Sequence, residues 1–302
     1  MTQQDNLHHL PPGPQIPEQR HLHMVGLQKM IPNMITLMAL IAGVTSIQKA
    51  INGNFETAVL MLLAAAILDT IDGAVARALH SSSEFGAQLD SLSDFLAFGV
   101  APSLLLYVWV LDEAGRLGWI ATIVLPMAAA LRLARFNVMA KKVDELPVWK
   151  RAYFSGVPAP AAAGLALFPV YFSLMFSDSF HEFSFATPMI AVWELIVAAL
   201  MVSRIPTFSF KKILVPSKMT VPLMALIGAL IAAVIHVPFL MLSLISIVYV
   251  ATMPIVFARY RRKEREYQAH PENLSSLAFG ITPFDPLGEP DDHPIDPDKT
   301  VI

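Results

Sequence analysis

Long apolar runs and short polar ones alternate along most of this chain. The apolar runs cover Pro32 to Ala50, Phe55 to Ala78, Leu89 to Leu111, Trp119 to Met139, residues 156–172, residues 189–202, Val221 to Val237 and Phe239 to Tyr260. About 20 apolar residues suffice for a helix to cross a bilayer core, and most of these runs approach that length. The pattern predicts an all-α fold: a polytopic transmembrane helical bundle of about eight spans. Pro32 suits the first turn of the first helix. The links are HSSSEFG (80–86), DEAGRLG (112–118), the basic amphipathic KKVDELPVWKRAYFSG (141–156), the acidic SDSFHEFSFATP (177–188) and the basic SRIPTFSFKKILVPSK (203–218). His236 and Pro238 mark a tight connection between the last two spans.

The ends read differently. Residues 1–28 are polar and carry LPPGPQIP, without the apolar stretch of a signal peptide, and are expected to form a flexible cytoplasmic tail. His8, His9, His21 and His23 in it read as solvated side chains rather than a metal cluster. Residues 29–260 form the membrane-embedded domain. Residues 261–302 open with a basic block suited to a membrane surface and continue as a Pro- and Asp-rich disordered tail.

Composition agrees with the pattern. Of 302 residues, 55% are hydrophobic and 15% charged, with a mean hydropathy of +0.56. That excludes an ordinary soluble domain. A net charge of −3 implies no nucleic-acid partner, and the absence of cysteine excludes disulfides and thiolate metal sites. Basic residues decide the orientation. With the N-terminus inside, inner segments hold Arg77, Lys141, Lys142, Lys150, Arg151, Lys211, Lys212 and the Arg259–Arg265 cluster, whereas outer segments hold only Lys49 and Arg116. Both termini are therefore expected in the cytoplasm, with the 77–86 link at the cytoplasmic edge.

The chemistry lies in DTIDGAVARALHSSSEFGAQLDSLSD, residues 69–94. Carboxylates next to hydrocarbon are costly and usually functional. Asp69, Asp72, Gly73 and Ala76 share one helical stripe, and Gly86, Asp90 and Asp94 share another. Facing helices would aim four acids into one volume, where like charges need compensation. Hard divalent cations, Mg2+ or Mn2+, suit oxygen ligands. Gly73 and Ala76 remove bulk beside the acids, and Arg77 can pair with phosphate, so a diphosphate ligand fits. A polar interhelical network, a cation-lined pore or a cation transporter are the other readings of such a cluster.

This stretch closely resembles the pattern D-x2-D-G-x2-A-R-x8-G-x3-D-x3-D of the CDP-alcohol phosphotransferase family, matched at Asp69, Asp72, Gly73, Ala76, Arg77, Gly86, Asp90 and Asp94. The resemblance implies a membrane enzyme that moves a phosphatidyl or similar group from a CDP-linked donor to an alcohol. It further implies two ions, one held by Asp69, Asp72 and Asp90 and the second by Asp69, Asp90 and Asp94. Gly73, Arg77 and Ser83 would place the nucleotide, with Asn33 and Thr36 of the first span near the cytidine. Asp94 would act as general base.

Three further stretches, ALRLARFN (130–137), FSGVPAPAAAG (154–164) and SRIPTFSFKK (203–212), are similar to those of bacterial integral-membrane members that use L-serine as acceptor. Val157 departs from that pattern, which has a leucine-like residue there. The implied reaction joins CDP-diacylglycerol and L-serine to give phosphatidylserine and CMP. Choline, glycerol 3-phosphate and inositol phosphate are the alternative acceptors. Arg132 and Arg135 share a helix face, and buried guanidinium groups need anions. They are the candidates for the serine carboxylate or a lipid phosphate, with an ion pair to Asp90 or Asp94 as the structural alternative. The resemblance also implies a homodimer among membrane lipids, in the bacterial inner membrane, with its site facing the cytoplasm.

Overall fold

The computed structural model describes residues 30–79, 81, 83–140, 153–176, 186–203, 205–208 and 219–269. Its elements are α1 (Met30–Ile51), α2 (Phe55–Ala78), α3 (Glu84–Trp109), α4 (Arg116–Ala140), β1 (Tyr153–Ser155), α5 (Ala159–Ala166), α6 (Phe168–Phe176), α7 (Ala186–Val202), β2 (Pro206–Phe208), α8 (Thr220–His236) and α9 (Pro238–Ala269). A single 3-10 turn, Leu111–Ala114, joins α3 to α4. The fold is all-α apart from one ribbon, in which β1 and β2 pair antiparallel with Phe154 opposite Thr207.

Among the described residues, α1, α2, α3, α4 and α9 are long and apolar enough to cross a membrane. The bent pair α5 and α6 makes a sixth if taken as one broken span. The apolar helices α7 and α8 have 17 residues each, at the lower limit for a full crossing. All eight apolar runs are helical, but length alone does not establish eight crossings.

Local chemistry sets the turns. Gly53, at φ +73°, turns the chain between α1 and α2. Asn54 caps α2 by accepting from the Thr57 amide at 3.1 Å. The resulting hairpin is pinned by Ser46, whose hydroxyl donates to the Ala58 carbonyl at 2.8 Å.

The helix α3 is the most buried of the five long helices. Small residues let its neighbours come close. A Cβ on Gly43 of α1 would sit 3.0 Å from the Ala97 Cβ, and one on Gly99 would sit 2.8 Å from the Ala129 Cβ of α4. From Phe95 to Val100 the helix widens into a π turn, directly after Asp94. Leu105, Leu106, Leu125 and Val197 lie in the core beneath it. There, Ser103 donates to the Thr122 carbonyl and lies 2.8 Å from Oε1 of the fully buried Glu194. This polar contact joins α3, α4 and α7.

Three boundaries differ from the sequence reading. The link expected at 80–86 ends early, because Ser83 caps α3 and the helix starts at Glu84. The fifth span is bent by 41° between α5 and α6. Pro169 has no amide proton to offer Leu165, and the indole of Trp193 donates to that carbonyl at 2.8 Å instead. The last helix passes Tyr260 and runs to Ala269; its Arg- and Glu-rich end favours helix, and Arg261 stacks 4.5 Å from the Phe257 ring centroid. The tails expected at 1–28 and beyond 269, and the links at 141–152, 177–185 and 209–218, lie outside the described residues.

Candidate functional site

The two acid stripes come together as their spacing predicts. Asp69 and Asp72 lie on α2, and Asp90 and Asp94 on α3. Asp69, Asp72 and Asp90 each place one carboxylate oxygen within 4.8 Å of the others. Asp94 lies beside them, close enough to Asp69 and Asp90 for their charges to interact. Its Oδ1 is buried and has no hydrogen-bond partner. Touching carboxylates repel unless a proton or a cation intervenes. A cluster of hard oxygen donors with an orphan buried oxygen fits Mg2+ or Mn2+.

Beside the acids opens a cavity of about 230 Å3. From α1 it takes Pro32, Asn33 and Thr36; from α2, Asp72, Gly73, Ala76 and Arg77. Ser81 and Ser83 close one side, and α3 adds Gly86, Ala87 and Asp90. Every residue expected near the nucleotide thus lines one space. The guanidinium of Arg77 folds back over Gly73, its Nη1 3.4 Å from where a Cβ would stand. Gly86 is required more strictly, since a Cβ there would lie 2.8 Å from Asn33 Oδ1 and 3.0 Å from Ser83 Oγ. Ser83 accepts from the Gly86 amide at 3.0 Å, which leaves its hydroxyl proton for a ligand.

The two arginines of α4 differ. Arg132 is close enough to Asp94 and Tyr249 for their charges to interact. Its Nε is buried and has no hydrogen-bond partner. Arg135 donates from Nη1 to the Val202 carbonyl at 3.2 Å, at the end of α7. Neither arginine lines the cavity of α1, α2 and α3; both lie on the α4 side of Asp94.

The three stretches outside the acid motif also converge. The Gly156 amide donates to the Ile205 carbonyl at 2.9 Å, β1 pairs with β2, and Arg135 ties α4 to the adjoining end of α7. Two residues further, Asn137 Nδ2 donates to Ser91 Oγ at 3.1 Å. These residues therefore sit at the same end of the bundle as the acids.

Three further polar residues lie here, of which sequence reasoning passed over Asn137 and Ser93. Ser81 Oγ is buried, lines the cavity and has no partner. Asn137 braces α3. Ser93 is 3% exposed and donates to the Thr36 carbonyl at 3.3 Å. Its place between Asp90 and Asp94 was the available signal, but its direction depends on where α1 packs.

Comparison with known proteins agrees with this geometry. The profile of the family described as CDP-alcohol phosphatidyltransferase matches residues 29–205. The chain is 33% identical over 253 residues to a Mycobacterium leprae protein named CDP-diacylglycerol–serine O-phosphatidyltransferase, covering 84% of this chain and 81% of that one. It is 35% identical over 185 residues to the Helicobacter pylori protein of the same name, covering 61% and 74%. It is 32% identical over 184 residues to an archaetidylserine synthase of Methanothermobacter thermautotrophicus, covering 58% and 70%.

Proposed function

We infer the activity from one premise: the chain belongs to the CDP-alcohol phosphatidyltransferase family. It is an integral membrane enzyme of phospholipid synthesis with a CDP-linked lipid donor. It transfers the phosphatidyl group of CDP-diacylglycerol to the hydroxyl of L-serine, giving phosphatidylserine and CMP.

We propose that Asp69, Asp72 and Asp90 hold one divalent ion, Mg2+ or Mn2+, and that Asp69, Asp90 and Asp94 hold a second. When bound, such ions supply the positive charge that offsets the diphosphate and the departing CMP. Asn33, Thr36, Gly73, Arg77 and Ser83 surround the nucleotide and diphosphate. Arg132 and Arg135 draw in the serine carboxylate or the lipid phosphate, Arg132 with its unsatisfied Nε. Asp94 takes the proton from the serine hydroxyl. The hydroxyl oxygen then bonds to the phosphorus that bears diacylglycerol, and the bond from that phosphorus to the CMP oxygen breaks. Positive charge in the inner links supports a site facing the cytoplasm of a bacterial inner membrane, with both termini on that side. A homodimer is the proposed assembly.

The observation that carries the site assignment is the meeting of three carboxylate oxygens within 4.8 Å at the edge of the cavity. Purified enzyme with CDP-diacylglycerol and labelled serine, choline, glycerol 3-phosphate or inositol phosphate tests the reading. Labelled lipid should form with serine alone, only with Mg2+ or Mn2+, and should stop on chelation. Incorporation of another acceptor in place of serine, or turnover unaffected by chelator, overturns it.

A further inference from the structure

The acids sit on α2 and α3. The helix α1 packs along both. It carries no acid, and Thr36 is the residue through which it touches both. Thr36 is 5% exposed. Its hydroxyl lies 2.6 Å from Asp72 Oδ2 and 3.0 Å from the Pro32 carbonyl. A threonine hydroxyl has one proton to give. The shorter contact, to a carboxylate, is the stronger claim on it. The backbone carbonyl of the same residue accepts from Ser93, at 3.3 Å, on the turn of α3 between Asp90 and Asp94. Asp72 and Ser93 are themselves 4% and 3% exposed. Thr36 therefore touches the acid stripe of α2 with its side chain and that of α3 with its main chain.

We propose that Thr36, with Ser93, is a positioning residue for the cation site: it holds the Asp72 carboxylate and keeps the two acid-bearing helices in register. This rests on the reading of the acids as a divalent-cation site and deepens it. Thr36 also lines the cavity, so it can border the nucleotide while its proton is held by Asp72. With its proton given to Asp72, the hydroxyl has only acceptor capacity left for a ligand. A carboxylate fixed in one rotamer loses less freedom when it binds a cation, and partners that orient metal ligands typically change affinity about 10- to 100-fold.

The test is Mn2+ binding to the full-length protein in detergent, followed by electron paramagnetic resonance without donor or acceptor. Thr36→Val keeps the shape and removes the hydroxyl, Thr36→Ser keeps the hydroxyl, and Ser93→Ala removes the tie to α3. Thr36→Val should weaken Mn2+ about tenfold or more. Thr36→Ser should bind as wild type, and Ser93→Ala should show a smaller loss. Thr36→Val in an Asp72→Asn background should add no further loss. Unchanged Mn2+ affinity in Thr36→Val overturns the proposal, whatever its KM for CDP-diacylglycerol. If Thr36→Val does not accumulate, wild-type Mn2+ affinity in Ser93→Ala overturns it. Wild-type protein that binds no Mn2+ removes the cation site itself, and this inference with it.

Discussion

Asp90 and Asp94 are the acids that α3 brings to the cluster with Asp69 and Asp72. Replacing either with Asn keeps size and hydrogen-bonding shape but removes a carboxylate charge and, on the proposed mechanism, the proton acceptor at Asp94. Asp90→Asn and Asp94→Asn should abolish CMP release while the protein still inserts, measured by CMP assay alongside membrane fractionation. Near-normal turnover in either would refute the role of that residue. Gly86→Ala tests a different demand. Its methyl would meet Asn33 Oδ1 at 2.8 Å, a collision between α1 and α3 inside the cavity. The expected result is a raised KM for CDP-diacylglycerol, because the Asn33 and Ser83 side chains must turn aside. These acids and Gly86 were legible in the sequence because fixed spacing on a helix determines which residues share a stripe. Glu194 was not legible, because its partner Ser103 is 91 positions away and no periodicity links them.

Elements show how backbone chemistry is made compatible with a membrane. Pro169 leaves the Leu165 carbonyl without its helical donor, and Trp193 supplies one from α7. Trp193→Phe should therefore lower thermal stability modestly, because hydrogen bonds between membrane helices contribute about 0.6 kcal/mol each on average. Serine turnover below the melting temperature should be unchanged. Gly156 carries more weight. Its φ of +81° disfavours any side chain, and a Cβ would stand 2.5 Å from the Met201 carbonyl oxygen. Gly156→Ala should loosen the β1–β2 ribbon, read as faster exchange of the backbone amide at position 156, which donates to the Ile205 carbonyl in the wild-type chain. The apolar runs predicted these helices well. The bend at Leu167, the start of α3 at Glu84 and the π turn after Asp94 were out of reach, since each depends on a donor or cap that only packing or local geometry supplies.

For the whole molecule, orientation is the property on which catalysis in the cell depends. The chain contains no cysteine, so single introduced cysteines report topology without background. Asn52→Cys, in the exposed α1–α2 turn, should react with a membrane-impermeant maleimide from outside intact cells. Arg265→Cys, at the exposed end of α9, should react only after the membrane is opened. The opposite pattern would turn the site away from the cytoplasm.

The sequence by itself determined that the chain enters a membrane, that its helices follow its apolar runs, and which acids, glycines and arginine share a stripe. These are short-range properties: hydropathy along a run, and the 3.6-residue turn of a helix. Tertiary structure alone decided that α1 ties the two stripes together through Thr36 and Ser93. It also decided that Arg132 and Arg135 face different neighbours although they share a helix face. Their partners lie on other helices, and which helix comes alongside is settled by close approach at glycine and alanine, not by anything periodic in the chain.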